Sequence, residues 1–526
     1  MFKGFRQTVL LTIVSRITGL LREMTFAFFF GATELMDSWV IAFTIPNLAR
    51  SLFGEGAASS SLIPVYGQEL VRDSKSAQQL ASTVMTVIFV ILSCIVLVGE
   101  IAVWVWYVSF TPMSATALKL SLTGIMLPYM TLVCLEAIAG GVLNSHRHFM
   151  APAIAPIILN VVMVASLFFG GWVLTFNPDG QAYFLACCVI VSGFLQLFTQ
   201  FVPLKIIGVQ IKPAWHVKSE AFKKVLFLMA PMILGLTATQ INILMDKFIA
   251  LWFSSSAEKG ISFLFLGSQI AYPMQAGAVS QLFYAQRLYQ LPFGVFGISL
   301  ATVVFPVMSA DAARKDTAAL CATISKSIKS AIFVAFPSTV GLIMIRQPLI
   351  KLFFEHGRFT SRDTILTASV LVCYTLGLTG FFLQQICSKA YYSTQDSRKP
   401  MRTTLTAVVL NLMLNLVLIW TPLRVAGLAL STSLCSYLQV GILLKGLVKK
   451  FGKEIFNGFA VEFVKTVINT VIMSFAAAFS MKLAAHLPQL VQVLIVVITA
   501  AAVYLIGAAV LKIQMLSLIT GRKLLK

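Results

Sequence analysis

Four arginines stand inside long apolar runs of this 526-residue chain: Arg16 and Arg22 in the first run, Arg50 in the second and Arg287 in the eighth. A guanidinium is planar and permanently charged, and it presents its N–H donors as a fixed fork, which suits a pyrophosphate. Charges within a membrane span are costly and usually face a cavity or a partner. The alternative is that Arg16 snorkels to the interface and Arg22 pairs locally with a carboxylate, for which Glu23 stands next to it. Six positions separate the two, so a straight helix does not put them on one face, although Gly19 would allow a bend. The second run carries Asp37 near one end, then Asn47 and Arg50, then Gly54-Glu55-Gly56. The paired glycines read either as a hinge or gate, or as close helix packing continued by Ala57 to Ser61.

A second constellation is acidic and neutral. Asp246 lies mid-span beside Lys247, and Asn411 and Asn415 share one face of the eleventh run. A carboxylate with two amide oxygens would suit a small hard cation such as sodium. The alternative is a buried ion pair or helix–helix hydrogen bonds. Glu100 and Glu136 are further intramembrane acids, for which helix packing and proton coupling are both open. The five histidines fall in or near loops, and seven of the eight cysteines lie in apolar runs without a CxxC pair. Neither a metalloprotease helix motif, nor a nucleophile elbow, nor a phosphate-binding loop is present, so the chain is not expected to be an enzyme.

The elements that hold these residues follow from composition. The chain is 58% hydrophobic and 11% charged, with mean hydropathy +0.89. Soluble domains carry about a quarter charged residues, so this is an all-α integral membrane protein: continuous apolar runs of spanning length exclude a barrel. Spans are expected near 8–31, 35–65, 81–109, 119–143, 152–175, 182–204, 225–252, 282–309, 328–350, 365–390, 403–421, 425–444, 459–482 and 489–511, about 14 transmembrane helices in all. The net charge of +21 then reflects positive-inside connections rather than nucleic acid. Lys75, Arg147, Lys224, Lys329, Lys399 and Lys450 are among the basic residues of one set of connections, while the opposite set holds only Lys259, Lys351, Arg358, Arg362 and Arg424. That bias puts both termini in the cytoplasm.

The stretch from Leu143 to Val161 resembles that from Thr394 to Leu412, and Leu62-Ile63-Pro64-Val65 resembles Val304-Phe305-Pro306-Val307. Two echoes at similar separations, with the same topology, indicate parallel repeats. They divide the chain into a lobe over residues 1–208 (helices 1–6), a lobe over 209–450 (helices 7–12), and helices 13–14 with a tail over 451–526. Two lobes around a central cavity is the usual architecture for alternating access. The connection over 253–281 is unusually long, is fairly apolar and contains Pro273, which predicts an interfacial or re-entrant hairpin.

The stretches Ser15-Arg16-Ile17-Thr18-Gly19-Leu20-Leu21-Arg22-Glu23, Ile45-Pro46-Asn47-Leu48 with Arg50, Phe53-Gly54-Glu55-Gly56-Ala57, Tyr284-Ala285-Gln286-Arg287-Leu288, Leu352 to Thr360, and Tyr392-Ser393-Thr394-Gln395-Asp396 resemble the MurJ/MviN family. These are the lipid II flippases of the multidrug/oligosaccharidyl-lipid/polysaccharide exporter superfamily. The resemblance runs from about residue 5 to about residue 450. It implies a V-shaped fold of two six-helix lobes plus two C-terminal helices. It also implies movement of undecaprenyl-pyrophosphate-linked disaccharide-pentapeptide (lipid II) across the bacterial inner membrane for peptidoglycan synthesis, alongside the cell-wall synthesis machinery. It places substrate binding on Arg16, Arg22, Asp37, Arg50 and Arg287, with Asn47 and Glu55 in the same motifs. Some members bind sodium, which the resemblance places at Asp246, Asn411 and Asn415, with Ser431 or Thr432 as a further ligand. The chain departs from the family at Ser51 and Gln286, and in the length of the 253–281 connection. Rival readings are a flippase for another polyprenyl-linked oligosaccharide, which would also need cations, and a cation-coupled drug exporter, which would need an acidic, aromatic cavity.

Overall fold

The computed structural model describes residues 2–54, 57–110, 114–256, 258–265 and 267–516, apart from the side chains of a few of these positions. In chain order the first helices are α1 (Phe2–Phe30), α2 (Glu34–Ala49), α3 (Ala57–Arg72), α4 (Ser74–Phe110), α5 (Ser114–Ser145), α6 (Met150–Phe168), α7 (Pro178–Ile206) and α8 (Glu220–Trp252). Two short strands follow, β1 (Ser262–Phe265) and β2 (Ser268–Ala271). Then come α9 (Ala278–Pro292), α10 (Ser299–Ala313), α11 (Thr317–Phe354), α12 (Ser361–Leu376), α13 (Leu378–Ser393), α14 (Arg398–Leu418), α15 (Val425–Phe451), α16 (Phe459–Leu483) and α17 (Gln489–Val510). Every expected span, among the described residues, falls chiefly on helix. Among the described residues, 11 helices are long and apolar enough to cross a membrane. The three remaining expected spans fall on α1, on α2 with α3, and on α8.

Helix ends follow local chemistry. Thr33, Asn177, Asp316 and Thr360 accept backbone N–H groups at the starts of α2, α7, α11 and α12. Thr360 and Asp363 form a reciprocal capping box. Gly31, with φ +64°, ends α1. Wide π-helical turns occur at Arg50–Gly54 after α2, at Phe169–Val173 after α6 and at Phe293–Ile298 between α9 and α10. The first and third sit at matching places in the two repeats. Each follows a proline inside the preceding helix, Pro46 or Pro292, and contains glycine. Proline removes an N–H donor from the ladder, and glycine weakens it further. The repeat also shows in the connections. The chain turns at Arg147 (φ 61°) after α5 and at Gln395 (φ 59°) after α13, each two residues beyond the end of its helix.

The chain divides into two compact units. The first takes Met1–Lys247, Ser255–Ser280 and Gly357–Phe359. In it α5 packs on α2, α3, α4 and α7, and α1 lies along α6. The second takes Phe248–Ser254, Gln281–His356 and Thr360–Lys526. There α11 packs on α10, α12, α13, α16 and α17, and α15 on α12, α13 and α14. The division therefore falls later than residue 208. Lys224 Nζ donates to Gln68 at 2.9 Å and Lys247 Nζ to Thr44 at 2.8 Å, which ties α8 to the first unit. The C-terminal pair also belongs to the second unit: Phe333 of α11 packs with Met473, Tyr504 and Ala508 in one core. The connection after α8 folds as an antiparallel hairpin of β1 and β2, paired Ser262 with Ala271 and Phe265 with Ser268.

In the second unit α12 and α13 meet at Gly377, against which α15 packs through small residues. A Cβ added at Gly377 would stand 2.4 Å from Ser433 Oγ, and Ser433 Oγ donates to the Cys373 carbonyl at 2.6 Å. Close backbone approach through small residues is a standard way to join helices in lipid. Gly377→Val is therefore expected to lower stability by about 2 kcal/mol or more through overpacking. Thermal unfolding in detergent, with Gly441→Val as the control where a Cβ meets nothing within 4 Å, checks this.

Candidate functional site: the intramembrane arginines

In the first unit Arg22 is held at the seam between α1 and α6. Its guanidinium donates through Nη1 to Asn160 Oδ1 at 3.0 Å and through Nη2 to Glu23 Oε1 at 2.5 Å. It also lies 6.0 Å from the Phe26 ring centroid. Asn160 in turn donates to the Ser15 carbonyl and to Thr18 Oγ1, both at 3.2 Å. One amide thus spans a full turn of α1 and orients the arginine. The Arg22 side chain is 13% exposed and that of Glu23 4%. Arg22 Nε is buried without a hydrogen-bond partner. A guanidinium has five donors, and two are used here, so the group keeps donor capacity while its charge is balanced locally.

Arg16 is exposed on the same helix. Helix α1 runs unbroken through Gly19, whose Cα instead faces Asn160: a Cβ there would meet the amide at 3.5 Å. Arg50 opens the first π-helical turn, and its Nε donates to Asn47 Oδ1 at 3.0 Å. Those two sequence-predicted residues come together as a pair. Glu55 lies outside the described residues.

Asp37 is 1% exposed, and both carboxylate oxygens are engaged. Oδ2 accepts the Gly277 N–H at 2.8 Å; Oδ1 accepts the Ser280 N–H at 2.7 Å and the Ser280 hydroxyl. The carboxylate caps the start of α9, where negative charge is favoured. Gly277 has φ +91°, and a Cβ there would fall 2.1 Å from the Ala32 carbonyl. In the same unit Arg358 N–H donates to the Phe28 carbonyl at 2.9 Å, beside Gly357 at φ +59°. The glycine of the 352–360 motif thus serves close backbone approach to the end of α1.

Arg287, in the second unit, lies with its guanidinium 4.8 Å from the Phe283 ring centroid, a cation–π distance. Asn411, Asn415 and Ser431, all buried, form a ladder with the half-buried Thr432 that joins α14 to α15. Asn411 Nδ2 donates to Thr432 Oγ1 at 3.2 Å, Asn415 Nδ2 to Asn411 Oδ1 at 2.8 Å, and Ser431 Oγ to Asn415 Oδ1. Both amide oxygens accept within this ladder.

Sequence reasoning missed Asn160, Gly277 and Ser280. Asn160 could have been found as the lone amide in the apolar run from Ile157 to Val164. The partners of Asp37 lie some 240 residues away and leave no local signal.

The family model described as "Lipid II flippase MurJ" matches residues 26–499. A protein of Rickettsia prowazekii named "Probable lipid II flippase MurJ" is 30% identical over 474 residues, covering 89% of this chain and 88% of its own. One of Burkholderia cenocepacia, named "Lipid II flippase MurJ", is 29% identical over 84% of this chain and 82% of its own. A solved structure of "Lipid II flippase MurJ, inward closed conformation" superposes with TM-score 0.76 at 25% identity, covering 98% of this chain and 99% of that one. An inward-facing multidrug resistance transporter of the MATE family superposes with TM-score 0.64 at 15% identity, over 83% of this chain and 94% of that one, which shows a shared fold. With a family model matched over most of its length, this multi-pass membrane protein belongs to the lipid II flippase family MurJ.

Proposed function

We propose that the chain carries lipid II from the inner to the outer leaflet of the bacterial inner membrane by alternating access, with both termini cytoplasmic. The observation that carries this reading is Arg22, a half-buried guanidinium whose charge is balanced and whose Nε has no hydrogen-bond partner. Such a group can take up a pyrophosphate without first breaking its own supports. Arg16, Arg50 and Arg287 are the further cations that the pyrophosphate meets. Asn47 orients Arg50, and Glu55 belongs to the motif that follows. Asp37 acts as a positioning residue that anchors the start of α9, because its two oxygens are occupied by Gly277 and Ser280. Movement against an unfavourable field is feasible for few charges, since each costs about 2.3 kcal/mol per 100 mV.

Complementation of a conditional flippase-deficient bacterium tests the reading. The wild-type chain is expected to restore growth, and Arg287→Ala to fail at equal membrane abundance. Rescue by both would keep the function and remove Arg287 from the route. Failure of a well-expressed wild type would move weight to another polyprenyl-linked oligosaccharide. A cation-coupled drug exporter is disfavoured because the intramembrane set is rich in arginine.

A further inference from the structure

The second unit contains a cavity of about 740 Å³ that none of the residues assigned to substrate lines. Its walls are the first turns of α11 (Cys321, Ser325, Lys326, Lys329), the turn between α15 and α16 (Glu454, Asn457, Gly458), and Gln514 with Met515 after α17. Several features make it a built site rather than a gap. Ile513, Met515 and Leu516 are anchored in the core formed by Phe333, Met473 and Tyr504, so the wall after α17 is fixed. Gly458 has φ +67°, which favours glycine, and Lys329 Nζ lies 3.2 Å from where its Cβ would stand, so the ammonium sits over this turn. Lys326 and Lys329 are three residues apart on one helix face. Among the described residues neither has a carboxylate within ion-pair distance. Glu454, the one acid in the lining, is exposed. Glu462 nearby is buried and accepts the Gln514 N–H at 3.3 Å.

We infer that this cavity binds a phosphate group, held by the two ammonium groups of Lys326 and Lys329 and by the amides of Asn457 and Gln514. Two cations with amide donors at the end of membrane helices match the chemistry of an anionic headgroup site. Two lysines merely solvated on a basic surface would not account for Lys329 being tucked over a left-handed glycine. A lipid would bring the phosphate with its acyl chains along the apolar outer face of α16, where Val461, Val464 and Ile468 are exposed on one side. A soluble phosphate would bring the same group from water.

The test uses the full-length protein in detergent, with two probes. Lipid retention is counted by native mass spectrometry after titration with dioleoyl-phosphatidylglycerol or dioleoyl-phosphatidylcholine, and thermal protection is read with inorganic phosphate. Wild type is expected to bind one phosphatidylglycerol selectively, and Lys326→Ala/Lys329→Ala to bind it about a hundredfold more weakly, about tenfold for each ammonium removed. Lys326→Arg/Lys329→Arg is expected to retain binding. Protection by inorganic phosphate without selective lipid retention, abolished in the same double variant, would assign the site to a soluble phosphate. If the double alanine variant does not fold, Lys326→Ala, at an exposed position, carries the comparison at about tenfold. Equal lipid retention by wild type and variants, or no response of wild type to either probe, would overturn the inference.

Discussion

Arg22→Ala is expected to lose about a hundredfold or more in lipid II transport and to unfold at lower temperature. The transport loss follows from removing a charged fork that can make two hydrogen bonds to a pyrophosphate, each worth about 1.5–3 kcal/mol. The stability loss has a separate origin. Glu23 is 3% exposed, and deleting its guanidinium partner leaves a buried carboxylate without that charge, at a cost of about 3–5 kcal/mol. The two effects separate in Arg22→Ala/Glu23→Gln, which also removes the buried negative charge. That variant is expected to recover most of the thermal stability and none of the transport. Recovery of both would reduce Arg22 to a structural member of the α1–α6 seam. Arg22→Lys is expected to be intermediate, since an ammonium keeps the charge but not the fork that holds Asn160 and Glu23 together.

Asp37→Asn is expected to destabilise the first unit by about 2–4 kcal/mol, more than Ser280→Ala at about 1 kcal/mol. The asparagine keeps one oxygen for Ser280 but turns an amide NH₂ toward the Gly277 N–H, so two donors face each other at a buried position. Ser280→Ala removes only the hydroxyl and leaves both backbone N–H bonds to the carboxylate. Limited proteolysis across residues 255–276, together with thermal unfolding, reads the effect. Faster cleavage there in Asp37→Asn, with Ser280→Ala close to wild type, is the expected pattern. Equal stability of Asp37→Asn and wild type would mean that the cap contributes nothing and would return Asp37 to direct contact with substrate.

The helices are legible in the sequence because lipid leaves the backbone few options: an apolar run of spanning length must satisfy its own N–H and C=O groups. The internal echoes are equally informative, and the matching π-helical turns and left-handed residues Arg147 and Gln395 give them structural content. The π-helical turn at Arg50–Gly54 follows Pro46, which already weakens the ladder, while Glu55 and Gly56, on which the choice between a hinge and close packing turns, lie outside the described residues. Its counterpart at Phe293–Ile298 is not among the sequence-based expectations, although Pro292, Gly294 and Gly297 carry the same signal. The 253–281 connection contains a two-stranded hairpin whose register is not readable from sequence, since Phe263, Leu264 and Phe265 lack the alternation that marks a half-buried strand.

The candidate site is legible as a set of residue types and not as an arrangement. Charges inside spans identify themselves, because their cost demands a reason. Their partners do not. Asn160 lies 138 residues from Arg22, and Gly277 lies 240 from Asp37. Asn411 and Asn415 show the converse case: spacing alone brings two amides to one helix face, and packing then joins them to Ser431 and Thr432 rather than leaving their oxygens open.

The most direct measurement is transbilayer movement of fluorophore-labelled lipid II in vesicles reconstituted with the purified chain, read by a membrane-impermeant quencher. Wild type is expected to expose inner-leaflet lipid II to the quencher, and folded Arg22→Ala/Glu23→Gln is expected to leave it protected like protein-free vesicles. Movement at the wild-type rate by that variant, or no movement by wild type, would contradict the account.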